Sequence, residues 1–179
     1  MSRHVHAVLF DLDGTLIDSA PDLAGAANEL RDDFLRRYEQ RMVLETRVFE
    51  AVLPVLDALD GQKRPWGIVT NKAARFTDPL VRSLGLFARA AAVVAGDTTP
   101  HSKPHPAPLL EAARRVGLEP SQCIYVGDDL RDVQAGHAAG MTTVIAAWGY
   151  LGIGEPIESW GADHIIQTPE ELLNLLAMA

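Results

Sequence analysis

The stretch from Val5 to Asp18 constrains this chain more than any other: an apolar run, Val5 to Phe10, empties into Asp11-Leu12-Asp13-Gly14-Thr15. The run lacks polar alternation, so it reads as a strand covered on both faces, as in a parallel sheet flanked by helices. In open α/β sheets ligands bind beyond the carboxyl ends of the strands, and two carboxylates stand at such an end here. Side chains of an extended segment alternate with a period of two, so Asp11 and Asp13 look into one pocket while Leu12 turns away. Converging carboxylates repel each other unless a cation, a proton or hydrogen bonds compensate. A hard divalent cation such as Mg²⁺ is the natural partner, because it takes oxygen ligands and keeps positions open for a phosphate. Gly14 permits the turn out of the strand, and the Thr15 hydroxyl can support a carboxylate. Taken alone, the same residues also suit an Asx turn that simply ends a strand.

Strand and helix patterns then alternate along the chain. Apolar residues at helical spacing run from Asp22 to about Met42, and a second helix is expected from Val48 to Leu59. Trp66 to Val69 reads as a short strand, followed by helix 72–84, a brief apolar run at Ala91 to Ala95, a loop over Gly96 to Pro104 and helix 106–116. Strands at Gln122 to Val126, Thr142 to Ala146 and His164 to Ile166 follow, with helix 130–139 between the first two and a last helix after Thr168-Pro169. This rhythm predicts an α/β fold: a parallel sheet with helices on both faces. A chain of 179 residues holds one such domain with a proper core, or a core plus a small appendage.

Formal net charge is −8, and the few basic residues are scattered or paired, which argues against a nucleic-acid backbone as partner. An acidic surface also repels anionic substrates unless a bound cation and a few lysines reverse the field inside the pocket. Cys123 is the only cysteine, so no intrachain disulfide forms, and its apolar setting suits a buried, inert thiol. No run reaches membrane-spanning length, and Arg3 and His4 lead directly into a core strand without a leader-like segment, so cytoplasmic residence is expected.

Three further strand ends carry polar groups, and in a parallel sheet these ends share one edge. Thr70 follows Trp66 to Val69 and can offer its hydroxyl to a phosphate oxygen. Lys103 lies in the loop before Pro104, where a cation can meet a phosphoryl group, and Asp128 follows Gln122 to Val126 as a further metal ligand. Together they outline phosphoryl transfer. Asp11 is the nucleophile that forms an aspartyl-phosphate, and Asp13 protonates the leaving alkoxide and later activates water. Mg²⁺ is held by Asp11, the main-chain carbonyl of Asp13 and Asp128, while Thr70 and Lys103 stabilise the equatorial oxygens. Asp132, one helical turn beyond Asp128, can orient Lys103 or a metal-bound water. Asp129 suits the N-cap of the following helix.

In order and context, Asp11-Leu12-Asp13-Gly14-Thr15, Thr70-Asn71, Lys103-Pro104 and Gly127-Asp128-Asp129 with Asp132 resemble the four motifs of the haloacid-dehalogenase-like phosphatases. Within that superfamily the chain resembles the phosphoglycolate phosphatase group. Trp66 to Lys72, Gly127 to Asp132 and Trp160-Gly161-Ala162-Asp163 are especially similar to relatives that dephosphorylate N-acetylmuramic acid 6-phosphate. The resemblance implies a Rossmann-like core, Mg²⁺ dependence, a small phosphomonoester substrate, Asn71 beside Thr70 in the phosphate site, and Asp129 and Asp132 behind the metal ligands. Asp13 argues for phosphatase chemistry, since dehalogenases of the superfamily lack that second aspartate. A phosphosugar mutase shares all four motifs. A receiver-type signalling domain shares the chemistry, although its acidic pair and its phosphorylated aspartate come in the other order.

Relatives usually insert a helical cap domain between the first motif and the helix preceding the second. Here residues 1–19 and 46–179 are expected to form the core, leaving 20–45 for a truncated cap. One continuous helix over 22–42 extends about 30 Å, and a chain that leaves the core must return, so the segment has room for a short helical hairpin at most. The abrupt join near Asn28 to Asp32, where two cap-flanking helices abut, points to a deletion or omission, with a break in the chain expected there.

Overall fold

The computed structural model describes residues 5–26, 31–86, 88–152 and 154–178. In chain order its regular elements are β1 (Ala7–Phe10), β2 (Ile17–Asp18), α1 (Ala20–Ala26), α2 (Arg31–Arg41), β3 (Arg47–Val48), α3 (Leu53–Gly61), β4 (Trp66–Val69) and α4 (Ala74–Ser83). They continue with β5 (Ala92–Val94), α5 (Ala107–Val116), β6 (Cys123–Gly127), α6 (Leu130–Ala139), β7 (Thr142–Ala146), β8 (His164–Ile166) and α7 (Glu171–Met178). Six strands form one parallel sheet in the order β5-β4-β1-β6-β7-β8.

Two-sided burial explains why the opening run has no polar alternation. Val8 and Phe10 face a cluster closed by Leu56 of α3, Leu80 of α4 and Leu172 of α7. Ala7 and Leu9 face the opposite layer, with Leu109 and Ala112 of α5 and Ala135 of α6. Each face of β1 therefore needs an apolar residue, and the sheet is covered on both sides as the sequence predicts. Cys123 lies in the second layer, fully buried, and burial pushes its thiol up to about 11. Because β1 sits between β4 and β6, the chain winds away from it in both directions, and the crevice for a ligand opens beyond its carboxyl end.

The segment between β2 and β3 folds back on itself. A continuous helix would hold Asp22 and Arg41 about 28 Å apart, whereas Arg41 Nε lies 3.8 Å from Asp22 Oδ1. The single helical pattern of the sequence is thus two packed helices, α1 and α2. Leu23 and Leu35 pack against Tyr38, Met42 and Phe76, so the hairpin rests on the first turns of α4. Its base is fastened by Asp22, whose Oδ2 accepts the Glu45 N–H, the Thr46 N–H and the Thr46 hydroxyl at 2.9, 2.9 and 3.0 Å. The expected break near Asn28 to Asp32 falls mainly on 27–30, outside the described residues; Arg31 and Asp32 open α2.

A two-residue antiparallel pair, Ile17 with Val48 and Asp18 with Arg47, links the two ends of this segment. It also corrects the expected helix from Val48. Val48 is spent in that pair, a single 3-10 turn spans Glu50–Val52, and α3 starts at Leu53 with Pro54 in its first turn.

Candidate active site

All eight residues singled out in the sequence line one cavity of about 240 Å³: Asp11, Asp13, Thr70, Asn71, Lys103, Asp128, Asp129 and Asp132. They come from the loops after β1, β4, β5 and β6 and, for Asp132, from the first turn of α6, all of which parallel pairing brings to a single edge. Lys72, Arg131 and Tyr150 complete the lining.

Lys103 is the hub of the arrangement. Its ammonium is buried and lies 2.6 Å from Asp11 Oδ1, 2.7 Å from Asp132 Oδ1, 2.9 Å from the Tyr125 hydroxyl and 3.1 Å from the Val69 carbonyl. Asn71 fixes the backbone that carries it: the side-chain amide donates to the Lys103 carbonyl and accepts the Lys103 N–H, both at 2.9 Å. The role expected of Asn71 beside the phosphate thus sits with a second task, holding the lysine loop. Burial alone would lower the Lys103 pKa, but Asp11 and Asp132 more than offset it and hold the ammonium well above its ordinary range.

Asp11 receives the Val126 strand from the other side, its N–H donating to the Val126 carbonyl at 2.8 Å. Burial raises its carboxyl well above the ordinary value; Lys103 opposes this, while Asp132, Asp128 and Asp13 add to it. Asp128 is gripped through both oxygens, by the Thr15 hydroxyl at 3.1 Å and the Tyr150 N–H at 2.6 Å. Burial nevertheless pushes it up to about 6. The backbone pressed against it must be glycine: a Cβ on Gly14, whose φ is +85°, would lie 2.2 Å from Asp128 Oδ2, and one on Gly149 would lie 2.3 Å from Asp128 Cβ.

Asp129 caps α6, its Oδ1 accepting the Arg131 N–H at 2.8 Å, and the capping box is closed by Asp132 Oδ2 accepting the Asp129 N–H at 3.1 Å. One short motif therefore starts a helix and aims Asp132 at Lys103.

Sequence reasoning overlooked Lys72, the nearest cation to Asp13. Asp13 Oδ1 lies 2.7 Å from Lys72 Nζ and accepts the Ser19 hydroxyl at 2.6 Å. Lys72 also donates to the Tyr38 hydroxyl of α2, which ties the hairpin to the site. The signal was present, since Lys72 closes the same polar strand end as Thr70, whose Oγ1 accepts the Lys72 N–H at 3.1 Å. Tyr150 borders the same cavity. Its hydroxyl accepts the Ser19 and Ala20 N–H groups at 2.9 and 3.0 Å and donates to Asp18 at 2.6 Å. Tyr150 thus connects the root of the hairpin to Asp128.

Among the described residues the cavity carries five carboxylates against three cationic side chains, an excess of two negative charges. Asp11, Asp128 and Asp132 can each turn a carboxylate oxygen to within 4.8 Å of the others. That donor set is all hard oxygen and matches a divalent cation in charge. Asp132 thus stands as a third carboxylate beside Asp11 and Asp128, the two side chains expected to ligate a metal.

A doubly wound α/β core with carboxylates, a buried ammonium and hydroxyls converging at its switch point is the frame of a hydrolase acting at an anionic centre. The model for "Haloacid dehalogenase-like hydrolase" matches residues 24–146, and the chain belongs to that family. It is 38% identical over 212 aligned positions to the phosphoglycolate phosphatase of Xanthomonas campestris pv. campestris, covering 95% of this chain and 96% of that protein. To the N-acetylmuramic acid 6-phosphate phosphatase of Pseudomonas aeruginosa it is 33% identical, covering 97% and 95%. The crystal structure of a predicted phosphoglycolate phosphatase from Haemophilus somnus superposes with a TM-score of 0.85 at 26% identity, over 96% of this chain and 98% of that one. The protein is accordingly a phosphoric monoester hydrolase. Among the described residues no helix is long and apolar enough to cross a membrane.

Proposed function

We propose that this phosphatase is Mg²⁺-dependent, works through an aspartyl-phosphate on Asp11, and acts on a small phosphorylated metabolite of the 2-phosphoglycolate or N-acetylmuramic acid 6-phosphate type. The observation that carries the reading is the buried Asp11–Lys103–Asp132 arrangement opening onto the same cavity as Asp13 and Asp128. Asp11 and Asp128, with the main-chain carbonyl of Asp13, would hold the cation. Once bound it supplies charge neutralisation for the phosphoryl oxygens.

In the first half-reaction a carboxylate oxygen of Asp11 bonds to phosphorus as the bond to the alcohol oxygen breaks, and the departing oxygen takes a proton from Asp13. Thr70, Asn71 and Lys103 donate hydrogen bonds to the spectator phosphoryl oxygens, where the transition state most needs fixed positive charge. In the second half-reaction Asp13, now a carboxylate, takes a proton from water. The water oxygen bonds to phosphorus, the bond to Asp11 breaks and inorganic phosphate leaves. Lys72 and Ser19 hold Asp13 against the leaving group, and Asp129 and Asp132 brace the metal and lysine from behind.

For domain organisation we infer that residues 1–19 and 46–179 form the catalytic core and 20–45 a shortened cap. Alignment to the Xanthomonas protein spans 212 positions against 179 residues in this chain, so at least 33 positions (212 − 179) face a gap here. The small hairpin of α1 and α2 is where that deficit fits.

Phosphate release measured over 2-phosphoglycolate, N-acetylmuramic acid 6-phosphate and other small phosphomonoesters tests this reading. Mg²⁺-dependent release from at least one, abolished in Asp11→Asn, supports it. A phosphosugar mutase would convert a sugar phosphate to its isomer without net release. Unchanged release by Asp11→Asn would end the nucleophile assignment.

A further inference from the structure

A second cavity, of about 370 Å³, adjoins the phosphate cavity and differs from it in chemistry. Its walls are Leu23 of α1, Leu35 and Tyr38 of α2, and Ala73 and Phe76 at the start of α4, with the Tyr38 and Phe76 rings meeting edge to face at 5.5 Å. Asp13 and Lys72 line both cavities, so the two meet at the residue that protonates the leaving group in the reaction proposed above. The alcohol of a phosphomonoester must point toward that proton donor, and beyond Asp13 the space it enters is apolar.

Resting on that reading of the catalytic cavity, we propose that the hairpin forms a leaving-group subsite for alcohols that present an apolar face, such as alkyl, aryl or N-acyl substituents, in preference to a small anionic alcohol such as glycolate. Two observations carry the class of ligand. The walls give an alkyl or aryl surface side chains to displace water against. Among the described residues the sole cation at the rim is Lys72, already paired with Asp13 and with the Tyr38 hydroxyl, so a carboxylate entering here meets no uncommitted counter-charge. Glycolate carries such a carboxylate one carbon from its ester oxygen.

A ladder of ethyl, butyl and hexyl monophosphates tests the proposal at constant charge and nearly constant leaving-group reactivity. The subsite predicts that kcat/KM rises roughly threefold per methylene, carried by KM, the order expected for removing methylene groups from water. It also predicts that hexyl phosphate is turned over more efficiently than 2-phosphoglycolate. Leu35→Asp places a charge in the wall and flattens the ladder; competitive inhibition by inorganic phosphate reports separately whether the phosphate cavity stays formed in that variant. Phosphate release with a flat wild-type ladder, or with 2-phosphoglycolate preferred to hexyl phosphate, overturns the subsite and leaves the phosphatase reading standing. Release from none of the esters overturns the catalytic reading, and the subsite with it.

Discussion

Lys103 Nζ lies 2.6 Å from Asp11 Oδ1, with both side chains buried, although 92 residues separate them in the chain. The contact gives Asp11, the proposed nucleophile, its counter-charge and places a buried cation in the lining of the candidate active site. Lys103→Met leaves Asp11 and Asp132 facing each other without it. We expect turnover to fall by ~10²-fold or more and stability by about 3–5 kcal/mol, the usual consequence of breaking a buried pair from one side. Steady-state kinetics and urea titration check both; a variant that keeps its activity shows that the ammonium serves packing alone.

Asp13 is held by Lys72 and Ser19 at the boundary between the phosphate and apolar cavities. If it supplies the proton to the departing oxygen, Asp13→Asn suffers most with esters of poorly acidic alcohols. Hydrolysis of an alkyl phosphate is expected to drop by ~10²-fold or more, and of p-nitrophenyl phosphate, whose leaving group needs no proton, by considerably less. Equal losses in kcat/KM, which leaves out the hydrolysis step common to both substrates, contradict the role.

Asp22 provides a pH signature in the hairpin rather than in the catalytic cavity. Burial alone would raise its carboxyl, but the Glu45 and Thr46 N–H groups, the Thr46 hydroxyl and Arg41 hold it below the ordinary value. A carboxyl depressed on folding stabilises fully above its unfolded pKa, about 4, and the contribution is lost as pH falls through the lower folded value. Asp22→Asn is expected to cost about 2 kcal/mol at neutral pH, with the difference from wild type shrinking below about pH 4. Urea titrations of both proteins from pH 7 to pH 3 measure this; a gap independent of pH excludes the charged form as the cause.

The two excess negative charges of the catalytic cavity make the protein a better partner for a divalent cation than for a monovalent one. Saturating Mg²⁺ at about 100 times its dissociation constant should stabilise the fold by about 2.7 kcal/mol. Thermal melts should show a rise in Tm that sodium at matched ionic strength does not reproduce and that Asp128→Asn removes. An unchanged melt in wild type argues against a cation at this cluster.

Much of the fold is legible because its strands are covered on both faces. Runs such as Val5 to Phe10 and Gln122 to Val126 cannot be placed in a half-solvated sheet, so the parallel architecture and the shared strand edge follow. Asp11, Asp13, Thr70 and Asp128 are legible for the same reason, each standing at the end of such a run, whereas Asn71 enters through the family resemblance and Lys103 and Asp132 lie further along the loop and helix that follow. Contacts made across the fold leave no local trace. Nothing near Tyr38 announces that it reaches Lys72, and the bond from the Tyr150 hydroxyl to Asp18 spans 132 residues. The hairpin follows from chain length rather than from pattern: helical periodicity continues through Leu23, Leu35 and Tyr38 and carries no information about a reversal of direction, but a short segment that leaves the core must come back. The β2–β3 pair is too short for any alternation to register.

Covalent capture of the phosphoryl group by Asp11 is the central step of the proposed reaction. Acid quenching during turnover, followed by borohydride reduction and peptide mass spectrometry, reads this directly, because an acyl phosphate is reduced to homoserine where a free carboxylate is untouched. We expect homoserine at position 11, dependent on substrate and Mg²⁺, with the aspartates at 13, 128 and 132 unmodified. Phosphate release at full rate with no reduction at position 11, or with reduction at another aspartate, contradicts it.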